Sequence, residues 1–115
     1  MPGPITTHVL DTSLGRPADG LYVELDTRTD ETTWRNLSKG VTDSDGRVNN
    51  LMPEDLRLVP GIYRITFDTR AYFRGKNVDT FYPSVIIMFE IKDPASHYHV
   101  PLLISPYGYS TYRGS

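Results

Sequence analysis

Cysteine is absent from the 115 residues. Its absence excludes disulfides, thiolate zinc sites and a cysteine nucleophile, though it does not fix the compartment. No apolar run approaches the roughly 18–20 residues a membrane helix needs. A basic excess is also missing. Lys plus Arg number 12 against 14 Asp plus Glu, a formal net charge of −2, which argues against a nucleic-acid binder. Met1-Pro2-Gly3-Pro4 has neither the basic nor the apolar region of a secretory signal. Arg113-Gly114-Ser115 is not the Ser-Lys-Leu peroxisomal address. The expectation is a soluble cytoplasmic protein. No Gly-x-Ser-x-Gly, P-loop or dinucleotide fingerprint occurs.

The length fits one domain, residues 1–115. A chain this short buries about 60–70% of the surface its unfolded form exposes. That leaves little room for a deep private cavity, so a small-molecule pocket is expected to be shared between subunits.

Twelve threonines and eight tyrosines, punctuated by nine glycines and nine prolines, favour an all-β chain. Alternation agrees. Leu21, Val23 and Leu25 share one side of a strand, and Tyr22, Glu24 and Asp26 the other. Tyr63, Ile65 and Phe67 alternate with Arg64, Thr66 and Asp68. Val85, Ile87, Phe89 and Ile91 alternate with Ile86, Met88, Glu90 and Lys92. The apolar start of that outward face, Ile86 and Met88, fits either a subunit contact or a covering loop.

Asp43-Ser44-Asp45-Gly46 reads as a tight turn, and Gly15–Gly20 as a loop between the first two strands. Ser105-Pro106-Tyr107-Gly108 returns the chain into a last hairpin strand, Tyr109–Tyr112. One short helix is predicted at Thr69–Gly75, capped by Asp68 and closed by Gly75. Seven or eight short strands at even spacing indicate a β-sandwich.

Histidine is scarce: His8, His97 and His99 are the full set. His8 lies in the strand Ile5–Asp11, on the side of Thr6 and Leu10. In the strand Tyr98–Ile104 the apolar side is Tyr98, Val100, Leu102 and Ile104, which puts His97, His99, Pro101 and Leu103 opposite. All three histidines are therefore expected to point away from the core. Such residues are commonly just solvated. Arg47, directly after the Asp-Gly turn, is either a solvated hairpin residue or a planar donor for an anionic or amide-rich ligand. His97, His99 and a distant His8 also match the spacing of a three-histidine zinc site, but histidines two apart occur often without metal. No metal and no cofactor is assigned.

Three stretches carry a resemblance. They are Pro4–Thr12 with Gly15-Arg16-Pro17-Ala18; Thr42-Asp43-Ser44-Asp45-Gly46-Arg47; and His97 through Ser115, ending in Tyr-Arg-Gly-Ser. Together they resemble the 5-hydroxyisourate hydrolases, transthyretin-like enzymes of urate breakdown, over essentially the whole chain. The resemblance implies two packed four-stranded sheets with one short helix after the fifth strand. It also implies a homotetramer, a dimer of dimers, with active sites in the channel at the dimer–dimer interface. The substrate implied is 5-hydroxyisourate. His8, Arg47, His99 and Ser115 fall on catalytic positions, and His8, Arg47, Tyr112 and Arg113 on substrate-binding ones. Ser115 ends the sequence as given, so its hydroxyl and carboxylate are both expected at the site. His97 receives no catalytic role. The rival within the fold is transthyretin, a thyroid-hormone carrier, which lacks these histidines, the arginine and the Tyr-Arg-Gly-Ser ending.

Overall fold

The computed structural model describes residues 3–114. Period-two alternation sets its layers. In β1 (Ile5–Asp11), Ile5, Thr7, Val9 and Asp11 are buried while Thr6, His8 and Leu10 are half-buried on the other side. β7 (Tyr98–Ser105) repeats the pattern, with Tyr98, Val100, Leu102 and Ile104 inward. The remaining strands are β2 (Arg16–Pro17), β3 (Tyr22–Asp30), β4 (Thr33–Val41), β5 (Gly61–Phe67), β6 (Val85–Ile91) and β8 (Gly108–Thr111), with one helix, α1 (Thr69–Arg74).

Two four-stranded sheets result, ordered β2-β1-β7-β8 and β4-β3-β5-β6. Their inner faces meet through Val9, Leu102 and Ile104 on one side and Val23, Leu25, Ile65 and Phe67 on the other. Each such fully buried side chain contributes roughly 1.5–3 kcal/mol relative to exposure. The all-β sandwich of two four-stranded sheets with one short helix is as expected.

The buried side chains of Thr7, Asp11, Asp26, Thr42 and Thr69 are paired, as their desolvation requires. The Asp11 carboxylate, inaccessible to solvent, accepts from the Tyr72 hydroxyl at 2.7 Å and from the Ser13 backbone N–H at 3.0 Å. That bond fastens α1 to β1. It also pushes the Tyr72 hydroxyl pKa up, with burial the larger cause and the Asp11 carboxylate the next. The Thr42 hydroxyl donates to Ala18 O and accepts from Leu21 N, joining two loops.

Two local expectations change, and one strand is added. Arg16–Pro17 is not loop; it pairs antiparallel with Leu10–Asp11 as β2. Thr33–Val41 forms β4, a strand with little alternation because it runs along a sheet edge and leaves most side chains exposed. Gly75 is the C-cap of the helix as expected, but its φ of −62° is right-handed rather than the left-handed conformation of a glycine stop. Asn77, at φ 59°, takes the left-handed position instead. Val78 N then donates to Phe73 O and Asn77 N to Arg74 O, the paired bonds of a Schellman closure. Asp68 caps the start as expected, accepting from Ala71 N at 3.2 Å.

Ile86 and Met88 are 52% and 58% exposed, so no loop among the described residues covers them. They lie on β6, an edge strand of its sheet, as β8 is of the other.

Candidate active site

The outward face of β1 and β7 is built by register. The two strands run parallel, with Thr6 opposite His99 and His8 opposite Pro101. Parallel pairing at this register puts His8 and His99 diagonally across one face, two residues apart. That matches the expectation that both point away from the core.

Arg47 joins them through its turn. Asp43 organises that turn: its carboxylate accepts from Asp45 N at 2.9 Å and Arg47 N at 3.1 Å, and its backbone N–H donates to Arg47 O at 2.8 Å. Val9 N donates to Gly46 O at 2.9 Å, and His8 bridges Arg47 antiparallel. Gly46 is needed here twice over. Its φ is +77°, and a Cβ would collide with the carbonyl oxygen of Val9. The exposed arginine is thus held beside His8.

A second bridge brings in the end of the chain. Gly114 N donates to His99 O at 2.9 Å, so the segment after β8 lies alongside β7. The His99 ring rests on this glycine. A Cβ at Gly114 would lie 2.5 Å from His99 Cδ2 and 3.2 Å from Cγ. The glycine of the terminal tetrapeptide therefore makes room for the imidazole.

His99 is half-buried, and its Nδ1 is 2.8 Å from the Thr6 hydroxyl. The same hydroxyl is 3.3 Å from Nε2 of exposed His97. The two imidazoles lie nearly parallel, 13° apart, with centroids 6.5 Å from each other. Burial holds the His99 pKa below its ordinary value of 6.5, and the positive charges of Arg47, His97 and His8 push it the same way. The imidazole is consequently neutral near pH 7, the form a general base needs.

Two cavities flank this face. One, of about 250 Å³, is bounded by Phe89, Tyr98, His99, Tyr112 and Arg113. The other, of about 380 Å³, lies on the Arg47 side and includes Thr6, Asn49, Asn50 and Glu54. Tyr112 is 61% exposed. The Arg113 guanidinium, on the wall of the cavity it shares with His99 and Tyr112, stacks 4.7 Å from the ring centroid of Tyr98. Ser115 lies outside the described residues. Among the described residues, no three His, Cys, Asp or Glu side chains converge as a metal ligand set.

Sequence patterns put His8 and His99 on the outward sides of their strands, where the structure has them, but left Thr6 as a face neighbour only. Its contact with His99 depends on the β1–β7 register, which neither strand encodes alone.

Two outcomes follow from this geometry. In an NMR titration, the His99 midpoint should fall below 6.5 and rise in Arg47→Gln, because a charge that disfavours the imidazolium has been removed. A wild-type midpoint at or above 6.5 would contradict the described environment. Gly114→Ala should displace the His99 ring while the thermal melt stays cooperative; an unmoved His99 resonance would show that the ring does not rest on this backbone.

The model of the HIUase/Transthyretin family matches residues 5–114. A Rhizobium meliloti relative named 5-hydroxyisourate hydrolase 2 is 49% identical over 118 residues, covering 98% of this chain and 97% of its own. A Salmonella typhimurium 5-hydroxyisourate hydrolase is 48% identical over 111 residues, 96% of this chain and 80% of the relative. Among solved structures, sea bream transthyretin in complex with thyroxine superposes with a TM-score of 0.89 at 31% identity, over 97% of this chain and 95% of that one. (S)-allantoin synthase gives 0.86 at 36% identity; 96% of this chain is covered, and it spans 43% of the synthase chain. The chain belongs to the HIUase/Transthyretin family.

Proposed function

We propose that the protein hydrolyses 5-hydroxyisourate. The observation that carries this reading is the outward cluster of His8, Arg47 and His99, with the His99 imidazole disfavoured as a cation by burial and by Arg47. The names of its relatives support it.

The proposed reaction opens a cyclic amide. Water adds its oxygen to the ring carbonyl carbon. The C–N bond of the six-membered ring then breaks, and the nitrogen leaves with a proton. The product is 2-oxo-4-hydroxy-4-carboxy-5-ureidoimidazoline. Three tasks arise: removing a proton from water, stabilising the oxyanion, and protonating the departing nitrogen.

His99 takes the first task in this reading, and its imidazolium can return the proton. His8 contacts the substrate and assists the proton transfers. Arg47 offers planar donors to the polar ring and offsets charge on the oxyanion. Tyr112 covers the ring and donates a hydrogen bond. Arg113 and Ser115 complete the substrate side, which for Arg113 requires leaving its stack on Tyr98. No step calls for a metal or cofactor.

The proposed assembly is a homotetramer, a dimer of dimers, with sites in the channel between dimers. Support comes from the open edges β6 and β8, the exposed Ile86 and Met88, and a reactive face that is surface in the single chain. Among the described residues no helix is long and apolar enough to cross a membrane. The proposed setting is the cytoplasm.

A carrier role is the second reading, favoured by the close superposition on transthyretin with thyroxine. Freshly generated 5-hydroxyisourate separates the two, since its decay changes ultraviolet absorbance. Catalytic amounts of the protein should accelerate that decay, and His99→Asn should lower kcat by about 10²–10⁴-fold with an unchanged melt. Stoichiometric binding without acceleration would replace the enzyme with the carrier.

A further inference from the structure

The Thr6 hydroxyl lies between the imidazoles of His97 and His99, which belong to a distant part of the sequence. It has one proton to donate and two lone pairs. It lies 2.8 Å from His99 Nδ1 and 3.3 Å from His97 Nε2. Strand register, not chance, puts it there, because Thr6 is the residue directly opposite His99 in the parallel β1–β7 pair. Thr7, next along, points inward and donates to Val100 O at 2.7 Å. The outward hydroxyl is therefore the one available to the imidazoles.

A neutral imidazole carries its proton on one nitrogen only, and the partner of that nitrogen selects which. If Thr6 donated to Nδ1, His99 would carry its proton on Nε2 and have no lone pair to face a water. If Thr6 accepts from Nδ1–H, Nε2 is bare and points away from Thr6. In this second arrangement the hydroxyl proton needs an acceptor, and Nε2 of His97 supplies one on the same side.

We propose that Thr6 is a positioning residue for His99: its hydroxyl accepts a hydrogen bond from Nδ1–H and donates one to Nε2 of His97, which keeps His99 Nε2 unprotonated and aimed at the substrate.

This assignment rests on the reading of His99 as the group that takes a proton from water. It holds at both ends of that transfer. Before it, Nδ1–H bonds to Thr6 and Nε2 is free. After it, Nε2 has gained the proton, and Nδ1–H still bonds to Thr6. No rotation of the ring is needed between the two. Gly114 beneath Cδ2 and Thr6 at Nδ1 hold the ring from two sides. A hydroxyl partner, unlike a carboxylate, adds no negative charge to stabilise the imidazolium. His97 thus gains a part in the site without touching substrate.

The test combines ¹⁵N imidazole spectra of the substrate-free protein with steady-state kinetics on 5-hydroxyisourate. In the wild type, neutral His99 is expected to carry its proton on Nδ1. Thr6→Val keeps the β-branched shape and removes the hydroxyl. It should move the proton towards Nε2 and lower kcat about 10–100-fold, the usual cost of losing a group that orients a reactive histidine, with KM changed less than about twofold. Thr6→Ser should restore both the tautomer and kcat. A wild-type His99 protonated on Nε2 overturns the proposal without any variant. So does a Thr6→Val protein with wild-type tautomer and kcat, or a Thr6→Ser protein as slow as Thr6→Val. Should the wild type fail to hydrolyse 5-hydroxyisourate, the functional reading falls, while the spectra still decide what Thr6 does.

Discussion

The parallel pairing of β1 with β7 governs the outward face. A register set by Thr6 opposite His99 and His8 opposite Pro101 gathers the chemistry from two strands that are distant in sequence. The same register turns Ile5, Val9, Val100 and Leu102 into the core. A slip of one residue would exchange the two faces, burying imidazoles and exposing aliphatic side chains. Core packing therefore enforces the site. The apolar residues hold the register, and the histidines have their place because they alternate with those residues.

Two glycines complete what the register begins. Gly46 lets the Asp-Gly turn approach β1 closely enough for His8 to bridge Arg47. Gly114 lets the segment after β8 run along β7 beneath the His99 ring. Each position is one where a side chain would push away a reactive group. The gathered positive charge has a chemical consequence. It disfavours the imidazolium of His99, already discouraged by burial, which suits the base proposed for this site. Arg47 disfavours the charged form of its neighbour, and in the proposed function it also offers donors to the substrate.

Much of this was legible in the chain. Alternation in Ile5–Asp11, Tyr63–Phe67, Val85–Ile91 and Tyr98–Ile104 marks strands whose faces differ in polarity, and it orients His8 and His99 outward without further information. Asp68 announces its cap because its carboxylate is local to the N–H it serves. What failed to show depends on partners far along the chain. β4 has no polarity contrast, since a sheet edge exposes both its sides. β2 is two residues long and exists through its pairing with Leu10–Asp11. Gly75 was the obvious helix stop, but the left-handed residue is Asn77, chosen by where Val78 must turn into the core. Thr6 looked like any strand threonine until His99 stood opposite it. The stack of Arg113 on Tyr98 was likewise not legible, because it depends on the last segment running beside β7.

The most direct measurement is a crystal structure of the protein with a hydrolysis-resistant purine-ring analogue of 5-hydroxyisourate. If the outward β1–β7 face is the reaction centre, the analogue lies against it, with Arg47 and His8 in hydrogen-bonding contact and its carbonyl carbon within reach of a water held by His99 Nε2. An analogue bound elsewhere, out of reach of His8, Arg47 and His99, would contradict that assignment.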